Sequence, residues 1–134
     1  MGLPPGFNSP RESESCSVDS ANGAPVKNGR IDIRKDEVSV LEGWSADAMR
    51  TDLPRGLWLV LEAPSMENYS IVANRGISRP DVAVGTHKPH MANAGYSVAF
   101  VARSLPKGGY STRTYWEDAG GWVKCNVKKT LVVN

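Results

Sequence analysis

Hydrophobic positions along this chain recur mostly at every second residue, the period of a half-buried strand. Ile31 and Ile33 share one side of residues 30–34, and Val38, Val40 and Trp44 share a face of 37–45. Leu57-Trp58-Leu59-Val60-Leu61 is a continuous apolar run, too short for an isolated helix and expected as a central strand buried on both faces. Tyr69, Ile71 and Ala73 alternate, as do Val82 and Val84, and Val98, Phe100 and Ala102 form a further inward set. Tyr110, Thr112, Thr114 and Trp116 lie opposite Ser111, Arg113 and Tyr115, and Val123, Cys125 and Val127 share a face before Leu131 to Val133 closes the series.

Strong breakers separate these runs: Leu53-Pro54-Arg55-Gly56, Arg79-Pro80, Leu105-Pro106-Lys107-Gly108-Gly109 and Ala119-Gly120-Gly121. Strand starts fall about ten residues apart, the rhythm of a sandwich or barrel. The expected fold is all-β: a two-sheet antiparallel β-sandwich, immunoglobulin-like or jelly-roll, of about seven to nine short strands. Residues 45–52 are the main helix candidate but lack an apolar stripe, so a connecting turn is expected there. A helical turn fits within 87–94. Residues 1–15, rich in Pro, Gly, Ser and Glu, read as a disordered leader, and 16–134 as a single domain. Residues 17–29 continue polar, with Asn22-Gly23 and Asn28-Gly29 as turn signals.

Composition agrees with many turns: 134 residues carry 13 Gly and 9 Pro, and apolar residues make up 40%. The formal net charge of +2, with both signs interspersed, calls for neither nucleic acid nor an anionic membrane as partner. Lys124, Lys128 and Lys129 cluster mildly and read as a lysine-guarded strand edge. No apolar run approaches the length of a membrane span, and no direct membrane insertion is expected. Residues 1–10 have neither the basic start nor the apolar stretch of a signal peptide. The expectation is a cytosolic chain or a mature piece of an exported one. Asn68-Tyr69-Ser70 matches a glycosylation sequon, relevant only in a eukaryotic secretory pathway.

The two cysteines, Cys16 and Cys125, would be unrelated thiols in a reducing compartment and a pair in an oxidising one. We expect the disulfide, with Cys125 facing the core beside Val123 and Val127 and Cys16 folded back beneath a sheet edge. Closing a loop of about a hundred residues contributes up to roughly 4–5 kcal/mol in the chain-entropy model.

Catalytic chemistry finds little support. There is no G-x-S-x-G turn, and a disulfide would consume both cysteines of any Cys–His pair. His87 and His90 stand three apart, but Pro89 interrupts a helix between them and no third ligand is near except Asp81, so an exposed polar loop is expected and no metal. Glu117 and Asp118, adjacent on a strand, point to opposite faces, unlike a glycosidase pair. No glycine-rich loop opens a helix to cradle phosphate, so no cofactor is expected and the chain reads as non-enzymatic.

The aromatics are the remaining resource. Trp44 and Trp58, among apolar neighbours, are expected in the core. Trp116 and Trp122 flank a turn with Tyr115 beside them. With Glu117 and Asp118 accepting hydroxyl hydrogen bonds, these rings could stack on a sugar; the alternative is that one packs on the hairpin and the other caps the core. Asp47, Arg79 and Asp81 are expected as a polar network in which one arginine between two aspartates locks loops, with a ligand role as the alternative.

Gly43-Trp44-Ser45-Ala46-Asp47, the strand Leu57 to Leu61, Tyr69, Arg79-Pro80-Asp81-Val82-Ala83, Ala94-Gly95-Tyr96 and Leu105-Pro106-Lys107-Gly108-Gly109-Tyr110 follow one another in order. The pattern resembles a β-sandwich module of bacterial envelope proteins, often appended to membrane-embedded glycosyltransferases. It spans roughly residues 40–116, with Cys125 included in its reach. The resemblance implies a periplasmic or extracellular, non-enzymatic accessory domain, linked to surface-glycan assembly and partnered by the rest of a larger polypeptide. The alternative is a carbohydrate-binding module that uses Tyr115, Trp116 and Trp122. The resemblance carries no defined binding site.

Overall fold

The computed structural model describes residues 10–47, 53–118 and 121–134. Among the described residues, eleven strands form two sheets packed face to face, slightly more strands than the sequence rhythm suggests. The six-stranded sheet contains β1 (Arg11–Ser13), β4 (Arg30–Ile33), β6 (Gly56–Glu62), β7 (Asn68–Val72), β10 (Gly108–Asp118) and β11 (Gly121–Val133). The five-stranded sheet contains β2 (Cys16–Ala21), β3 (Ala24–Pro25), β5 (Val38–Ser45), β8 (Asn74–Ile77) and β9 (Gly95–Val101). Their orders are β1-β11-β10-β6-β7, with β4 also on β11, and β3-β2-β5-β9-β8.

The period-two pattern is what buries the core. Leu57, Leu59 and Leu61 of β6 face Leu41, Tyr96 and Val98 of the opposite sheet, all within one cluster. The expectation of purely antiparallel pairing needs correcting. β1 and β4 both pair parallel to β11, β1 along Val123 to Cys125 and β4 along Thr130 to Val133. The thirteen-residue β11 is long enough to hold two short strands on one edge.

Three further expectations change. Within the stretch read as a leader, Arg11–Ser13 is a strand, so order begins before Cys16; residues 1–9 lie outside the described residues. Residues 17–29, expected as polar and turn-rich, do turn at Asn22-Gly23 and Asn28-Gly29, but they also hold most of β2 and all of β3. Val82 and Val84, read as strand partners, belong to helix α1 (Pro80–Thr86), which opens on Pro80 at its first turn. Residues two apart on a helix cannot share a face, and accordingly Val82 is 5% exposed and Val84 73%. Helix α1 and the 3-10 turn Pro89–Asn93 cover Trp44 from outside, with Ala46, Val82, Met91 and Ala94 as a small second core. The helix candidate 45–52 falls mostly outside the described residues.

Cys16 and Cys125 form the expected disulfide, 109 residues apart in sequence, joining β2 to β11 across the two sheets. Cys125 is fully buried, on the inward face with Val123 and Val127.

Candidate functional site

The outer face of the six-stranded sheet is organised by the alternation of β10. Trp116 and Asp118 point into the sandwich and are buried; Tyr115 and Glu117 point outward. Trp116 and Asp118 are therefore not surface contacts. Trp116 is a core residue whose indole Nε1, among the described residues, has no hydrogen-bond partner. Asp118 accepts a 2.6 Å hydrogen bond from Arg11 of β1. Trp122 does face outward, in register with Glu117.

Its aromatic partner is Trp58, expected in the core but half-buried on this outer face. The two indole centroids lie 5.1 Å apart with planes inclined at 52°. Because β10 runs between β6 and β11, the two rings meet over that strand. Gly56 makes this possible: a Cβ there would sit 2.9 Å from the Trp58 indole, so only glycine lets the ring lie back along its own strand. Tyr115, in register with Trp58 on one side and Lys124 on the other, is buried in this row. Burial, reinforced by the charge of Glu62, pushes its phenol above the ordinary tyrosine value. The continuous run Leu57 to Leu61 hid this face, since hydrophobicity alone does not separate the inward leucines from Trp58 and Val60.

Beside the indoles, a shallow groove of about 340 Å³ crosses β1, β11 and β10, lined by Glu12, Glu14, Arg113, Lys124, Asn126 and Lys128. Arg113 forms an ion pair with Glu62. Lys124 Nζ stands 3.7 Å from Glu12, and Lys128 Nζ 3.8 Å from Glu14. Between the pairs Ser111–Thr130 and Arg113–Asn126, residues 127–129 of β11 oppose Thr112 alone, a bulge. At its centre Lys128 adopts a left-handed φ of 62°, and its backbone N–H donates to Asn126 Oδ1 at 2.8 Å.

On the opposite sheet, Arg79 bridges Asp81 at 2.7 Å and Asp19 of β2 at 2.8 Å. The expected partner Asp47 instead stands 3.5 Å from Arg11, in the group that includes Asp118. Asp19 was missed because it sits at the irregularity of β2, where pairing with β5 shifts between Val18 and Ser20. Arg79 reaches it by crossing β9 at Gly95, where a Cβ would meet the Arg79 Cγ at 2.7 Å. The Asp81 hydrogen bond, then Asp19, raise the guanidinium further above its usual value against the opposing effect of burial. The network fastens α1 to the five-stranded sheet.

His87 ends α1 in a left-handed conformation, and His90 lies in the following 3-10 turn. Among the described residues, no three His, Cys, Asp or Glu side chains are grouped to hold a metal ion, and no helix is long and apolar enough to cross a membrane.

These features define an all-β, disulfide-closed sandwich domain with an aromatic and charged outer face. No protein-family model matches the chain, and no curated protein or solved structure matches it. The resemblance to the envelope module rests on its motif residues alone.

Proposed function

We propose that this chain is a non-enzymatic accessory domain of an exported bacterial envelope protein, and that it holds glycan on the outer face of its six-stranded sheet. The observation that carries this reading is the Trp58–Trp122 pair, two half-buried indoles side by side over β10 with polar and charged side chains around them. An indole face offers apolar area to the C–H side of a pyranose, while Glu117, Asn126 and Arg113 offer acceptors and donors to its hydroxyls. The platform differs from that expected from sequence, with Trp58 in place of Trp116.

The disulfide supports export, since such bonds persist in oxidising compartments and are rare in reducing ones. The motif resemblance supports the envelope and a larger parent polypeptide. The test is a titration of the purified domain with bacterial and plant polysaccharides, read by tryptophan fluorescence and thermal shift. A saturable response lost in Trp58→Ala and in Trp122→Ala supports the reading. A flat response across the panel overturns glycan binding and leaves a protein-docking domain.

A further inference from the structure

The groove beside the indoles carries more specific chemistry than a neutral sugar requires. Arg113, Lys124 and Lys128 come from two adjacent strands and converge on one shallow depression. Lys128 is held there by backbone that costs free energy: a non-glycine residue in the left-handed region is disfavoured by roughly 1–2 kcal/mol. Bulges of this kind re-aim a side chain, and here the re-aimed side chain is a cation.

The present occupants of these cations are carboxylates. Arg113 holds Glu62, Lys124 faces Glu12 and Lys128 faces Glu14. The lysine pairs are loose. Their separations of 3.7 and 3.8 Å exceed hydrogen-bond distance, and the Glu12 and Glu14 side chains are 79% and 88% exposed. Ion pairs of this kind contribute little and exchange readily. The groove also adjoins the aromatic platform: Lys124 lies two residues from Trp122 on the same face of β11 and in register with Tyr115.

We infer that this groove takes the carboxylates of an acidic, uronate-containing polysaccharide, and that Glu12 of β1 and Glu14 just after it occupy the same lysines when no glycan is bound. The inference rests on the glycan reading above. One pyranose face stacks on Trp58 and Trp122, and acid groups along the chain displace Glu12 from Lys124 and Glu14 from Lys128. The two glutamates thereby act as built-in competitors that set the affinity.

Sodium polygalacturonate and its highly methyl-esterified form test this, because they share one backbone and differ in charge. The whole chain should bind the acid form at least about tenfold more tightly at low salt, with the preference shrinking as salt rises from about 20 to about 200 mM. Lys124→Gln with Lys128→Gln should erase that preference. Glu12→Gln with Glu14→Gln should tighten binding of the acid form by several-fold. Circular dichroism and melting temperature check that each variant remains folded. Equal binding of the two forms, or no tightening in the Glu12→Gln, Glu14→Gln variant, overturns the inference while leaving a neutral-glycan platform in place. Binding to no polysaccharide at all overturns the glycan reading together with it.

Discussion

Ser45 and Thr114 share a buried hydrogen bond, 2.9 Å between hydroxyl oxygens, from one sheet to the other. Ser45 is the register partner of Cys16 on β2, and Thr114 is the register partner of Cys125 on β11. A covalent link and a polar link therefore lie side by side between the sheets. Removing either hydroxyl strands its partner in the core, at a cost of about 1–3 kcal/mol. Ser45→Ala and Thr114→Val should each destabilise by that amount, and the double variant by clearly less than the sum. Additive losses in urea denaturation would remove the pairing from the account.

The disulfide beside it should matter most in the unfolded state. It closes 109 residues of separation, for which the chain-entropy model gives about 4–5 kcal/mol. Cys16→Ala with Cys125→Ala should unfold at lower urea, and reductant should shift the wild-type protein by a similar amount while leaving the variant unmoved. A reduced wild type as stable as the oxidised one would show that the bond constrains nothing the fold does not already hold.

Much of this architecture was legible in sequence because its core obeys a single period. The leucines of β6, the inward set of β10 and the buried Cys125 all follow from counting by twos. The misreadings share a cause, which is that local pattern carries no information about the second face. The run Leu57 to Leu61 could not show that Trp58 looks outward, because what distinguishes it is the space over Gly56. Arg79 pairs with Asp81 two residues on, but its second partner, Asp19 in place of Asp47, lies 60 residues earlier at a strand irregularity that no spacing rule marks. Val82 and Val84 imitated a strand until Pro80 and packing against Met91 made a helix.

The Arg79 network gives a pH signature. The Arg79 guanidinium, by hydrogen bond and then by charge, holds the Asp81 carboxyl below the usual carboxylate range, partly opposed by desolvation. A carboxyl depressed on folding stabilises the fold fully above its unfolded value of about 3.9 and loses that contribution as pH falls through the lower folded value. The melting-temperature gap between wild type and Asp81→Asn should be constant above about pH 5 and close in stronger acid. Asp32, also depressed through its pair with Arg30, is present in both proteins and cancels in the difference. A gap that persists in acid would assign the effect to packing of α1. Arg79→Ala, which loses both partners and its stem over Gly95, should destabilise by roughly 1–2 kcal/mol and speed amide exchange across α1.

The two tryptophans that changed places give the sharpest contrast. Trp116 is fully buried and its Nε1 makes no hydrogen bond among the described residues, so its contribution is volume and apolar area. Trp116→Ala should cost about 3–5 kcal/mol, and Trp116→Phe far less, because no polar partner is stranded by the change. Trp58 packs on the outer face against Trp122 and over Gly56, with part of its surface open to solvent. Trp58→Ala should lower stability only modestly while abolishing any fluorescence response to polysaccharide. Trp116→Phe should keep that response, since the residue lies beneath the sheet and out of reach of a ligand. If instead Trp116→Phe loses binding at unchanged stability, glycan must enter between the sheets and the outer face is not its site.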